Sequence, residues 1–352
     1  MDCPARPAAK RGRRPLLDKA VLGKLDRRSL IGKAAGLALA VGPGAAIPGT
    51  AFAAVRREPL ARVIVDNDFA GDPDGLIALA HQVASRSSRC VLITSSTLDR
   101  RFAAMGGLDP DTTAALGAKA ARDLLARMGR SDLCPVLAGS ESPGPVSGPE
   151  SGPKGGTQAA QAIVAEAMRD DPLPLFFACG GPLTNLAQAL RIEPRIAARM
   201  TLVWLGGDGY PGGGDEYNLS ADLAAARYVI ERSGIALWQI PMPIYAQCQI
   251  SIADFEVNVR DISATTQWLY ERYAALPPFV KLGGTIGCGD SALVLLTAIS
   301  AATSRSRTQT ARRILDDARY GDEIPGRTIR VIEELDVRLL LSDFVAAMRA
   351  PA

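Results

Sequence analysis

The segment DNDFAGDPDGLIALA, residues 66–80, carries four carboxylates (Asp66, Asp68, Asp72 and Asp74) in nine residues and then runs into an apolar helical pattern. It follows ARVIV, a β-branched apolar run that reads as a buried strand. Carboxylates crowded at a strand end raise one another's pKa, and a divalent cation would remove that conflict. Hard oxygen ligands of this kind suit Ca2+ or Mg2+. A metal held there lowers the pKa of its water, and a neighbouring Asp can take the proton to leave a nucleophile. Two other readings compete: a solvated acidic turn, and an aspartate-nucleophile phosphotransferase, whose chain also begins with a strand followed by DxD.

The elements that must position these carboxylates alternate in type. ARVIVDND, CVLITSST, PVLAGS, LPLFFACG, TLVWLGG and IALWQIP read as strands. Between them GLIALAHQVAS, TTAALGAKAARDLLARM, AAQAIVAEAMRD, PLTNLAQALRI and DLAAARYVIERSG read as helices. This predicts an α/β fold: a doubly wound, mostly parallel sheet with helices on both faces. A Gly/Pro/Ser-rich loop, ESPGPVSGPESGPKGG, interrupts the pattern. A helix over residues 263–276 and another after Asp290 break it and are expected to form a cap or an outer layer. In such sheets functional groups gather at the carboxyl ends of the strands. That rule collects Asp66, Asp68, Asp99, the Cys179-Gly180-Gly181 turn and Gly206-Gly207-Asp208 around one crevice. Pro182 suits a first helical position, and Thr184 and Asn185 are expected to shape the carbonyl at Gly180.

At 352 residues, with 47% hydrophobic content, the chain can bury one large or two modest cores. The formal charge of +3 is unevenly spread, because residues 1–35 hold ten Lys/Arg against three Asp and the remainder is net acidic. Nothing basic is left to track a phosphate backbone, so nucleic acid is not an expected partner. The basic front runs into DRRSLIG with the pair Arg27–Arg28, then an uncharged Ala/Gly-rich stretch ending in Ala51-Phe52-Ala53. That order resembles a twin-arginine-type signal over residues 1–53, leaving 54–352 as one mature domain. It predicts export to the periplasm or beyond, with the twin-arginine machinery as a transient partner. A basic tail plus membrane anchor is the alternative, but Pro43 and Pro48 interrupt the apolar run. Six cysteines show no CxxC pair, and losing Cys3 with the signal leaves an odd five, which argues against a disulfide framework. Cys90, Cys134 and Cys179 read as small core residues, and the sequence selects no disulfide.

Three later segments sharpen the reading: PLFFACGGPLTNLAQALRIEP, LVWLGGDGYPGGGDEYNLSADLAAARYVI and GCGDSALVLLTAI. With the acidic strand end before them, they resemble the inosine–uridine preferring nucleoside hydrolase family, from about residue 62 to about residue 298. The resemblance implies Ca2+ as cofactor and a nucleoside as small-molecule partner. Carried over residue by residue, Asp68 is the metal-bound carboxylate and general base, Gly180 supplies a ligating carbonyl and Asp290 the distal ligand. Asp74 takes the first place of the family's consecutive Asp pair and is expected at the substrate. Glu216 and Asn218 match residues on the ribose hydroxyls, and Asp99 sits where the family carries a ribose-contacting Asn.

The departures are specific. Gly75 stands where the second Asp of the pair, normally a metal ligand, would be, and Asp72 is expected to replace it. Gly289 stands where a His often protonates the leaving base. The chain's one histidine, His81, lies inside the first helix and reads as a helix-face residue; Tyr210, Tyr217 and Lys281 are the substitutes at hand. The expected activity is hydrolysis of the ribonucleoside N-glycosidic bond by Ca2+-activated water, in nucleoside salvage. A ribose- or nucleoside-binding protein that kept the metal pocket and lost the chemistry is the alternative. Oligomeric state stays open, a homo-oligomer included.

Overall fold

The strand Arg62–Asn67 (β1) is buried along its whole length, which explains its β-branched, apolar composition. It lies inside an eight-stranded sheet in a computed structural model that describes residues 58–143, 156–277 and 279–350. All of these fall within one compact unit, Arg56–Ala352. The expected signal, residues 1–53, and most of the Gly/Pro/Ser-rich loop lie outside the described residues.

The other strands are Arg89–Ser95 (β2), Val136–Ala138 (β3), Leu175–Gly180 (β4), Thr201–Leu205 (β5) and Ala236–Ile240 (β6). A separate antiparallel pair is formed by Gln249–Ser251 (β7) and Thr285–Gly287 (β8). Arg305–Ile314 (β9) and Tyr320–Glu334 (β10) complete the main sheet, whose order is β3-β2-β1-β4-β5-β6-β10-β9. Every neighbouring pair in it is parallel except β10 with β9. The expected doubly wound, mostly parallel architecture is therefore what the chain adopts. The β9–β10 hairpin was not anticipated. Its sequence is rich in Arg and Glu because β9 is an edge strand, and charged pairs such as Arg307–Glu333 span the two strands.

The strand period divides the core. Val63 and Val65 face a cluster with Leu76, Leu79, Leu124 and Phe344, while Ile64 faces one with Phe177, Leu186, Leu190 and Trp204. Helices Asp74–Ala84 (α1), Arg100–Met105 (α2), Thr113–Arg127 (α3), Gln158–Met168 (α4) and Thr184–Ile192 (α5) supply most of both faces. Nine of the eleven α1 residues are buried, so this helix is apolar nearly all round. His81 is one of them; its Nε2 lies 2.9 Å from Asp343 Oδ2 on the C-terminal helix Val337–Arg349, a tie between a buried ring and a partly exposed carboxylate.

Residues 249–287 leave the sheet through β7, pass through helices Ile252–Asn258 and Ala264–Ala274, and return through β8. The Cys288 N–H to Cys248 C=O bond (2.9 Å) closes this excursion and delivers the chain to Asp290. The short helix Ser291–Val294 then packs on α1, so two helix starts meet at one end of the sheet.

Asp66 does not face the crevice. It is fully buried, accepting from Thr94 Oγ1 (2.5 Å) and Asn185 Nδ2 (2.8 Å), and burial pushes its carboxyl up to about 6. Asn185 thus holds Asp66, and its Oδ1 accepts the Ser140 N–H (3.2 Å), in place of the expected role at Gly180. Thr184 bonds Asp222 Oδ2 (2.7 Å), and Pro182 precedes α5 without entering it. Asn185→Ala should cost roughly 2–4 kcal/mol, because it strands a buried carboxylate and a backbone donor together. Urea unfolding of that variant measures the loss, and a cost under about 1 kcal/mol would mean water replaces the amide.

Candidate active site

The end of β1, the start of α1 and the start of helix Ser291–Val294 bring Asp68, Asp72, Asp74 and Asp290 together. Asp74, the first residue of α1, accepts the Asp290 N–H on Oδ2 (3.2 Å). Asp72 is exposed, and its Oδ1 accepts the Asp74 N–H (3.1 Å), which secures the entry to α1. Burial raises the Asp68 carboxyl well above the usual range, and the charges of Asp290 and Asp72 raise it further. Asp74 is raised by the same three causes. Asp290 is pushed up to about 7 by burial, with Asp72 and Glu216 adding to the shift and Asn67 opposing it. The groups that chiefly set these protonation states include no cationic side chain. Desolvated carboxylates in mutual repulsion are the site's main physical property.

Asn67 was not read from the sequence. It is 2% exposed, and its Nδ2 donates to Asp290 Oδ2 (2.8 Å). A Cβ at Gly75 would lie 2.4 Å from Asn67 Oδ1, and one at Gly180 would lie 2.4 Å from Asn67 Nδ2 and from Asp290 Oδ1. The amide is therefore wedged between two positions that must be glycine, and it occupies the space into which a side chain at 75 would project. Gly180 itself stands against Asp290.

Glu216 is 1% exposed, and both its oxygens are engaged. Oε2 accepts from the N–H groups of Gly207 (2.7 Å) and Leu219 (2.9 Å); Oε1 accepts from Asn218 N–H (3.1 Å) and the Tyr245 hydroxyl (2.7 Å). It caps the short helix Tyr217–Ala221, and burial raises its carboxyl despite these donors. Asn218 donates to the Leu205 carbonyl (3.0 Å), so β5 fixes its orientation. Asp99 stands further out: it caps α2 and pairs with Arg101 Nε at 3.1 Å, which holds its carboxyl below the usual range.

Two tyrosines complete the site. The Tyr217 hydroxyl accepts the Asp99 N–H (3.1 Å) and lies on the Asp68 carboxylate. Tyr245 spans from Glu216 towards Asp290 and Asp74, and its ring would sit 3.0 Å from a Cβ at Gly289. A larger residue at 289 would displace that ring, so tyrosine fills the space beside this glycine. Burial pushes both phenols far up, so they hold their protons at neutral pH. Of the other substitutes, Tyr210 bonds the Thr310 carbonyl at the β9 edge and Lys281 is exposed. Among the described residues, no three His, Cys, Asp or Glu side chains converge as a ready-made metal chelate.

A family model described as inosine-uridine preferring nucleoside hydrolase matches residues 63–303, more than half of the chain. An inosine-uridine preferring nucleoside hydrolase of Leishmania major is 36% identical over 91 residues, 25% of this chain and 28% of the relative. The match thus spans little more than a quarter of that relative's length. A solved plant nucleoside hydrolase is similar with a TM-score of 0.63 at 19% identity, covering 83% of this chain and all of the other. One from Bacillus anthracis gives 0.61 at 18% identity, covering 82% and 99%. At these identities the structural likeness speaks for the fold.

Because the Asp290 carboxyl is raised in the folded chain, its stabilising contribution is complete below its unfolded pKa and is lost as pH rises through about 7. Burial moves Asp66, Asp68 and Asp74 in the same direction. In chelator, the melting temperature should therefore fall between pH 5 and 8. Asp290→Asn keeps the acceptor for Asn67 and removes the charge, so it should gain ~1–3 kcal/mol at pH 8 and flatten the slope. Calorimetry at both pH values checks this, and an Asn variant that melts lower at pH 8 would show the repulsion to be unimportant.

Proposed function

The chain belongs to the inosine-uridine preferring nucleoside hydrolase family, and on that premise we propose that it hydrolyses the N-glycosidic bond of ribonucleosides. The observation that carries this reading is the convergence of Asp68, Asp74, Asp290 and Glu216 at one end of the sheet; these are the residues that the resemblance assigns to water and ribose.

The donor chemistry there fits a hard divalent cation, Ca2+ in the family: carboxylates, a backbone carbonyl and unbalanced negative charge. Asp68, Asp290 and the Gly180 carbonyl would hold it, with Asp72 or the Asn67 Oδ1 in place of the carboxylate that Gly75 lacks. When bound, such an ion neutralises the cluster and makes water a stronger acid. Asp68, with Tyr217 on its carboxylate, takes the proton of the attacking water. Asp74 and Asn218 orient the ribose hydroxyls, with Asn218 pre-set by its bond to the Leu205 carbonyl, and Glu216 joins them when a hydroxyl takes the place of the Tyr245 phenol on Oε1. Nearby carboxylates stabilise positive charge as the ribosyl group becomes oxocarbenium-like.

Departure of the base is the weak step. No imidazole stands at Gly289, and phenols with strongly raised pKa values give up a proton reluctantly. Gly75 and Gly289 favour a second reading, a nucleoside-binding protein without turnover. The test is release of free base from a nucleoside panel, with Ca2+ present. Turnover is expected, p-nitrophenyl riboside should exceed inosine in kcat/KM by roughly 10²-fold or more, and Asp68→Ala should lose about 10²–10⁴-fold. Ribose binding without base release would favour the second reading. Equal kcat/KM values for the two substrates would reveal a proton donor at the base.

A further inference from the structure

Cys90 on β2 and Cys134, two residues before β3, lie 44 positions apart in sequence, yet their Sγ atoms are 3.9 Å from each other. A disulfide needs about 2.05 Å, so closing the gap takes side-chain rotation and a small movement of the loop that carries Cys134. Both side chains pack on the same core cluster, Cys90 buried and Cys134 half-buried. The remaining described thiols, Cys179, Cys248 and Cys288, are all buried. Cys179 is further engaged, with its Sγ on the Gly181 carbonyl (3.2 Å). Cys134 is thus the one described thiol that an oxidant can reach, and Cys90 lies directly behind it.

We propose that Cys90 and Cys134 form a disulfide when the protein meets a disulfide-type oxidant. Cys134 is the more exposed thiol and attacks first; the Cys90 thiol beside it lowers its pKa, while the contact with Cys134 and burial raise that of Cys90. Its thiolate attacks one sulfur of the oxidant's disulfide, forms a mixed disulfide and expels the other sulfur as a thiolate. Cys90 then loses its proton and attacks Cys134 Sγ, expelling the second sulfur. Two protein thiols are oxidised, the oxidant's disulfide is reduced to two thiols, and the two protons end on them.

The bond would anchor a weak edge. β3 has only three residues, all half-buried. The turn after it makes three supporting contacts. Gly139 N–H bonds the Ser95 carbonyl (2.9 Å), Ser140 N–H bonds Asn185, and Glu141 accepts the Ala114 and Ala115 N–H groups at the start of α3 (2.8 Å each). Asn185 in turn holds Asp66, so a staple at the start of β3 steadies a chain of contacts leading to the central strand. The pattern of residues 1–53 would send the chain to a compartment where such a bond persists.

The test compares the full chain after oxidised glutathione and after dithiothreitol. Peptide mapping of the oxidised sample should find Cys90 joined to Cys134 with a mass lower by two hydrogens. The melting temperature should rise on the order of 5 °C relative to the reduced protein. Cys134→Ser and Cys90→Ser should each abolish the linkage and the shift. Thiols that all stay free under oxidation, or linked peptides from another pair such as Cys248 with Cys288, would overturn the proposal.

Discussion

Holding Asp68 and Asp74, both half-buried, within reach of the buried Asp290 costs free energy that the surrounding fold must supply. Each carboxylate is reached by a different device. Asp68 follows a fully buried strand, Asp74 begins a helix with nine buried residues, and Asp290 is delivered by the β7–β8 closure and bonded by Asn67. The apolar clusters on both faces of the sheet fix these elements independently of the site. The negative charge is therefore imposed by the packing, and it makes the crevice a place where a cation gains more than it would at a surface.

Neighbouring residues on one strand divide the work. Asp66 turns to the face of α5, where Thr94 and Asn185 satisfy it, and it serves the architecture. Asn67 turns to the face of α1 and reaches Asp290. Asp68 lies past the strand end, at the crevice. A shift of one residue in register would exchange these roles, and the pairing of β1 with β2 and β4 prevents it. Tyr217 shows a comparable economy, since it joins the capping residue Asp99 to the site carboxylate Asp68.

Much of this was legible in the sequence. Apolar runs alternating with helical patterns marked six of the eight main strands, and the strand-end rule placed Asp68, Asp99, Gly180 and Gly207 around one crevice. The β9–β10 hairpin was missed because an edge strand rich in Arg, paired with a Glu-bearing neighbour, carries little hydrophobic signal. Asp66 was grouped with the site because a strand's two faces look alike when both are buried. Asn67 and Tyr245 gave no local signal at all: each matters through a glycine far along the chain, Gly180 and Gly289, whose missing Cβ leaves room for it. Such pairs become visible only in three dimensions.

The central claim is that burial and mutual repulsion raise the crevice carboxyls, so that a cation entering there displaces protons. Titration calorimetry with Ca2+ at pH 7, in two buffers of different ionisation enthalpy, counts the protons displaced as the ion enters. The account predicts binding with net proton release at pH 7 that diminishes as pH rises. Binding with no proton release at pH 7, or no binding at millimolar Ca2+, would contradict it.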